Sequence, residues 1–266
     1  MEKNAIGIFD SGVGGLTVFS KIKSEFPNEN IVYLGDTKNF PYGGKSSDEI
    51  IKYSIQNVKD LIEKGAKMIV IACGTATSQA IDVLRQKFDI PIIGIIEPTV
   101  DYIKEQNIKR VGVIATKGTI RNGAWETKLK QAIPNIEVIN KACPMLAEIA
   151  EEGRAQSPEG RKVIKEYMEI FKQNKIDKII LGCTHYPIYE NIIREEFEYE
   201  IELIHTGETV AKYLKKYLKE NGLENRGEKG TETIYLTKPE AEFEKIAKNI
   251  MKIETKIQEN MPKSLT

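Results

Sequence analysis

The sequence predicts an α/β protein of two similar parallel-sheet lobes, a duplicated and pseudo-symmetric fold. Three observations predict it. Apolar runs alternate with helix-period segments along most of the chain, the pattern left by parallel strands buried on both faces. The runs recur in pairs, at offsets of about 105 to 110 residues. Two strings nearly repeat each other: Ile69-Val-Ile-Ala-Cys73-Gly-Thr75-Ala and Ile179-Ile-Leu-Gly-Cys183-Thr184-His185-Tyr.

Taken in order, the first four runs are Ala5–Phe9, Ile31–Leu34, Lys67–Ala72 and Ile92–Ile96. Val111–Ala115, Ile136–Ile139, Lys178–Leu181 and Glu200–Ile204 follow. Amphipathic stretches separate them, among them Ile50–Lys64, Thr77–Phe88, Gly123–Ala132 and Glu159–Lys172. The first lobe is expected to end near Pro98 and the second near Gly207. A helix at Thr209–Lys219, a polar linker at Asn221–Gly230, a strand at Thr231–Leu236 and a helix from about Pro239 remain. This piece is too small to stand alone and is expected to fold back onto the first lobe. The domains so read are 1–98 plus 208–254, 99–207, and a frayed tail at 255–266.

At 266 residues the chain has ample core. Lys+Arg and Asp+Glu both total 39, so the charge balance gives no footprint for nucleic acid or an anionic membrane. Met1-Glu-Lys-Asn-Ala-Ile enters a strand directly, without a signal-peptide core, and no apolar run reaches membrane-spanning length. Three cysteines do not form a disulfide framework. A soluble cytoplasmic protein is expected.

The chemistry centres on the strand ends. Cys73 and Cys183, 110 residues apart, each close an apolar run ahead of a helix-like stretch. Two equivalent thiols facing one pocket suit a reaction in which a proton leaves one face of a carbon and returns on the other. Helix N-termini there are expected to lower the thiol pKa values. The bland alternative is two small buried hydrophobes. Zinc is disfavoured, since Cys73, Cys183 and His185 are too few ligands at an unusual spacing. His185 is placed to exchange a proton with Cys183, whereas Cys143 has no symmetric partner and reads as structural. Ile6-Gly-Ile-Phe9-Asp10-Ser11-Gly12-Val-Gly14-Gly15 is a strand and glycine-rich turn, able to bind an anion or simply to turn tightly. The loop Gly35–Ser46 could present Asp36, Tyr42 and the backbone near Gly43 to a small ligand.

Together, Asp-Ser-Gly-Val-Gly-Gly-Leu-Thr at 10–17, Gly-Asp-Thr at 35–37 with Pro-Tyr-Gly at 41–43, Ala-Cys-Gly-Thr-Ala at 72–76 and Leu-Gly-Cys-Thr-His-Tyr-Pro at 181–187 resemble the glutamate racemases. The resemblance runs in order from about residue 5 to 207. It implies flavodoxin-like lobes with the active site in the cleft between them, and Cys73 and Cys183 as the two acid/bases. Acidic or basic helpers would be Asp10, Asp36, Glu151 and His185, and Glu151 is preferred to Glu152 by its interval to Cys183. Substrate contacts would be Asp10, Ser11, Tyr42, Gly43, Gly74, Thr75, Thr184 and His185. It further implies glutamate as substrate, no cofactor and no metal, a cytoplasmic homodimer, and supply of D-glutamate to peptidoglycan. One departure stands out: family members usually carry Asn where this chain has Gly74, so Gly74→Asn is expected to be tolerated. A two-cysteine racemase acting on aspartate or another amino acid, or a non-catalytic two-lobed amino-acid binder, also fits parts of the pattern.

Overall fold

A computed structural model describes residues 4–239, 241–249 and 257–259. Residues 1–3, and 255–256 and 260–266 of the expected tail, lie outside them. Among the described residues two parallel sheets form. Strands β1 (Ala5–Asp10), β2 (Asn30–Gly35), β3 (Ala66–Ile71) and β4 (Ile92–Gly94) build the first. The second holds β5 (Arg110–Ala115), β6 (Glu137–Ala142), β7 (Lys178–Leu181) and β8 (Glu202–His205). β9 (Glu232–Leu236) and β10 (Ile257–Glu259) extend the first sheet beyond β2, giving the order β10-β9-β2-β1-β3-β4. The second sheet runs β6-β5-β7-β8, so both lobes repeat one strand order. Every pairing is parallel. That explains why the strands read as continuous apolar runs: helices cover both faces of each sheet.

Local signals set the helix starts. Ser46 and Glu49 form a reciprocal capping box ahead of helix Ser47–Glu63. Ser157 caps helix Pro158–Gln173, whose first-turn proline needs no amide partner. The cysteine strings differ here. Cys73 is itself the N-cap of helix Gly74–Lys87, its sulfur accepting from Ala76 N at 3.5 Å. Cys183 instead precedes a 3₁₀ turn, Tyr186–Tyr189, so only one thiol sits at the start of an α-helix.

The expected lobe boundaries fall inside helices. Pro98 lies in helix Ile96–Glu105 and Gly207 in the first turn of helix Thr206–Glu220. These helices pack together, and Thr99 and Thr209, also 110 residues apart, touch hydroxyl to hydroxyl at 2.7 Å. The two equivalent helices therefore pack against each other at the junction of the lobes. The C-terminal piece joins the first sheet through β9. Its preceding linker is tied down by Lys67, whose ammonium meets Glu29 and the Leu223 carbonyl, both at 2.6 Å. Ile257–Glu259, read as part of a frayed tail, pair with β9 as an edge strand. Among the described residues no helix is long and apolar enough to cross a membrane.

Candidate active site

The carboxyl ends of β1, β3, β5 and β7 converge between the lobes, where open α/β sheets place their ligands. There a cavity of about 150 Å³ is lined by both Cys73 and Cys183. Ser11, Tyr42, Gly43, Gly74, Thr75, Thr184 and His185 share its wall. Of the residues singled out from sequence, Asp10, Asp36 and Glu151 stand behind the wall.

Asp10 is buried at the end of β1, accepting from Gly12 N at 3.0 Å and from Thr184 Oγ1 at 3.2 Å. Burial pushes its carboxyl up to about 6, against the opposing pull of His185 and the Gly12 amide. The glycine-rich turn is thus not free to bind a ligand's anion at these amides. Gly12 N holds Asp10, and Val13 N donates to Glu151 Oε1 at 2.8 Å. Its glycines serve close approach: a Cβ on Gly14 would lie 2.6 Å from both His185 Nδ1 and Thr184 Oγ1 of the other lobe.

The two thiols have different surroundings. Cys73 donates to Ser11 Oγ at 3.8 Å. Burial, then the charge of Asp10, pushes its thiol up to about 12, overriding the helix N-terminus expected to lower it. Cys183 has its sulfur 3.6 Å from His185 Nδ1, and His185 Nε2 is 2.6 Å from Glu151 Oε1. Burial alone would lower the imidazole pKa; hydrogen bonds to Cys183 and Glu151 and their charges carry it well above the ordinary histidine range. Glu151 rides on helix Met145–Glu151, which Tyr189 ties to the turn after Cys183 through Leu146 O at 2.8 Å. Glu152 pairs with Arg154 on the surface. Cys143 is buried in the second lobe's core and does not line the cavity. Asp36, read from sequence as an acidic helper, accepts from the Tyr42 hydroxyl at 2.5 Å.

Asp10 yields a stability test. Its folded pKa of about 6 exceeds the ordinary 3.8, so the native state holds a proton that the unfolded chain has released between those values. Stability is therefore lost as pH rises through that window, and above it the ionised buried carboxylate costs on the order of a few kcal/mol. Asp10→Asn should raise Tm at pH 8 but not at pH 3.5. An equal change at both would contradict the burial cost.

Comparison with known proteins places this geometry. The family described as Asp/Glu/Hydantoin racemase matches residues 22–241. The chain belongs to the aspartate/glutamate/hydantoin racemase family. A glutamate racemase of Aquifex aeolicus is 39% identical over 255 residues, covering 95% of this chain and 96% of that protein. The crystal structure of a glutamate racemase from Bacillus anthracis superposes with a TM-score of 0.93 at 31% identity, covering 98% of each chain. That of the Francisella tularensis glutamate racemase in complex with D-glutamate does so at 0.90 and 34%, again over 98% of each.

Against the usual pattern of this racemase family, Gly74 takes on a new meaning. A Cβ there would lie 2.3 Å from the Gly182 carbonyl oxygen, a backbone atom of the opposite lobe. The asparagine expected to be tolerated does not fit this cleft. Reading from sequence also missed Thr116, Lys117 and Glu148, which line the cavity. Thr116 Oγ1 meets Thr75 Oγ1 at 2.9 Å across the lobes and caps helix Lys117–Asn122. The duplication carried the signal: the end of β5 is the counterpart of the end of β1, so Ala115-Thr116 stands where Asp10-Ser11 stands. Nothing local distinguishes Glu148 from the other surface acids.

Proposed function

We propose that this chain is an isomerase that interconverts L- and D-glutamate by a two-thiol proton transfer, without an electron-sink cofactor or a metal. What carries this function is the placement of two thiols, from equivalent strands of two lobes, on the wall of one small cavity. One sulfur, as thiolate, takes the α-proton; the other, as thiol, gives its proton to the opposite face of the carbon. After one turnover the two sulfurs have exchanged protonation states, and proton exchange with solvent resets them. Negative charge developing on the substrate carboxylate needs preorganised donors. Hydroxyls of Ser11, Thr75, Thr116 and Thr184 surround the cavity to supply them, and Lys117 adds a cation at its wall. Cys73, pushed up to about 12, rests as the proton donor. His185, steadied by Glu151, exchanges a proton with Cys183. Within the same proposal the enzyme is a cytoplasmic homodimer supplying D-glutamate for peptidoglycan, as the family resemblance implies.

Circular dichroism on each enantiomer of glutamate and aspartate tests the assignment. Loss of signal is expected with both glutamates and not with aspartate; inert glutamate would overturn it. The one-sided Glu151–His185–Cys183 chain adds an asymmetry. His185→Asn should lower kcat more in one direction than in the other. The equilibrium between enantiomers is unchanged, so kcat/KM must fall equally both ways and KM must absorb the difference. Equal kcat losses in both directions would detach His185 from a single thiol.

A further inference from the structure

The loop after β2 forms one wall of the cavity through Phe40, Pro41, Tyr42 and Gly43. Tyr42 is fully buried, and its hydroxyl is used on groups that do not line the cavity. It donates to Asp36 Oδ2 at 2.5 Å and accepts from Asn57 Nδ2 at 3.1 Å. Asp36 is itself buried, and its carboxylate is filled: Asn39 Nδ2 reaches both oxygens at 3.0 and 3.1 Å, and Thr237 Oγ1 donates to Oδ1 at 2.9 Å. Such satisfaction is what a buried carboxylate requires.

Thr237 lies just past β9, 201 residues from Asp36. Around it the chain end is stitched to the base of the loop. Thr237 N donates to Gly35 O at 3.0 Å, and Lys38 N donates to Thr237 Oγ1 at 3.0 Å. Thr37 Oγ1 donates to Lys238 O at 2.6 Å and accepts from Lys238 N at 3.1 Å. Asp36 hydrogen-bonds neither thiol; Cys73 touches Ser11 and Ala76, and Cys183 touches His185.

We infer that Asp36 is a positioning residue for substrate binding, and that Thr237 makes the cavity wall depend on β9 and the segment that follows it. The carboxylate fixes the Tyr42 ring through a short charge-assisted hydrogen bond, and the ring fixes the loop that bears on the substrate. This deepens the proposed racemisation of glutamate and rests on it. A wall that moves weakens ground state and transition state alike, so the loss belongs in KM. A group that transfers protons or tunes a thiol would show itself in kcat and in its pH dependence.

The test compares Asp36→Asn, Thr237→Val, Thr237→Ser and the Asp36→Asn/Thr237→Val double variant in the full chain. Asp36→Asn should raise KM for glutamate about tenfold, the scale of one charge-assisted hydrogen bond. Thr237→Val should raise it about threefold, the scale of a weaker single bond. In both, kcat should stay within about twofold and the pH profile of kcat/KM should superimpose on wild type. Thr237→Ser keeps the hydroxyl and should restore the wild-type KM. The double variant should be no worse than Asp36→Asn, because both changes act on one network. Hydrogen–deuterium exchange of residues 38–44 reads the same coupling without any substrate and should quicken in Asp36→Asn and Thr237→Val. A wild type that fails to racemise glutamate would remove the proposed function while this exchange still judged the loop. The inference is overturned by a kcat loss at unchanged KM, by a displaced pH limb, or by unchanged exchange in 38–44.

Discussion

Alanine at either Cys73 or Cys183 is expected to abolish racemisation of glutamate in both directions. In the proposed two-thiol transfer each thiol serves one face of the α-carbon, so neither can cover for the other. A positioned acid/base group contributes about two to four orders of magnitude, and here its loss leaves no substitute. Serine at either position should fail as well, because a hydroxyl is a far weaker acid than a thiol and is not ionised to a usable base near neutrality. Cys143→Ala is the internal control. That sulfur is buried in the second lobe's core, its thiol donating to the Lys141 carbonyl, and takes no part in the cavity wall. Activity should survive there. Steady-state rates with L- and D-glutamate decide the matter, and substantial turnover in the Cys73 or Cys183 variants would rule out one thiol per face.

Gly74→Asn is expected to damage the enzyme, although asparagine is what the family usually carries there. The reason is geometric. The added Cβ would sit 2.3 Å from the Gly182 carbonyl oxygen, and neither side can yield cheaply. Gly182 N is bonded to Ile114 O at 2.8 Å, which fixes the Gly182–Cys183 segment to β5. Trp125 and Ala115 crowd the same glycine from behind. Relief therefore has to come from parting the lobes, which carries Cys73 away from Cys183. A displacement of about 1 Å in a proton-transfer site can cost on the order of a hundredfold in rate. Gly74→Ala bears the same Cβ and should lose kcat to a similar degree, which separates backbone spacing from the chemistry of asparagine. Trp125, the chain's single tryptophan, lies buried beside this contact, so its fluorescence should report the parting. Wild-type kcat in both variants would mean that the close Gly74–Gly182 contact is no part of the working state.

What could be read from the sequence was what local pattern encodes. The strands were legible because both faces of each sheet are covered, which leaves unbroken runs such as Ile69–Ala72 and Ile179–Leu181. The thiols were legible because each ends such a run and the two runs repeat. Long-range contacts were not. That Asp36 is held by Thr237, 201 residues away, depends on β9 pairing with β2, and no neighbour of Asp36 in sequence hints at it. The glycine turn at 12–15 looked like an anion site, yet its first amides serve Asp10 and Glu151, the latter 138 residues away from Val13. The approach of Gly74 to Gly182 needs both lobes in place before a side chain's absence acquires meaning. Helix electrostatics misled at Cys73, where burial outweighs the helix terminus.

The two-thiol account is tested most directly by racemising L-glutamate in heavy water and following both enantiomers by mass and by α-proton NMR at early times. One sulfur removes the original proton, and the other delivers a deuteron already exchanged from solvent. D-Glutamate should therefore appear fully deuterated at the α-carbon while the remaining L-glutamate keeps its proton. Product that carries the original proton, or deuterium entering both enantiomers at the same rate from the start, would contradict it.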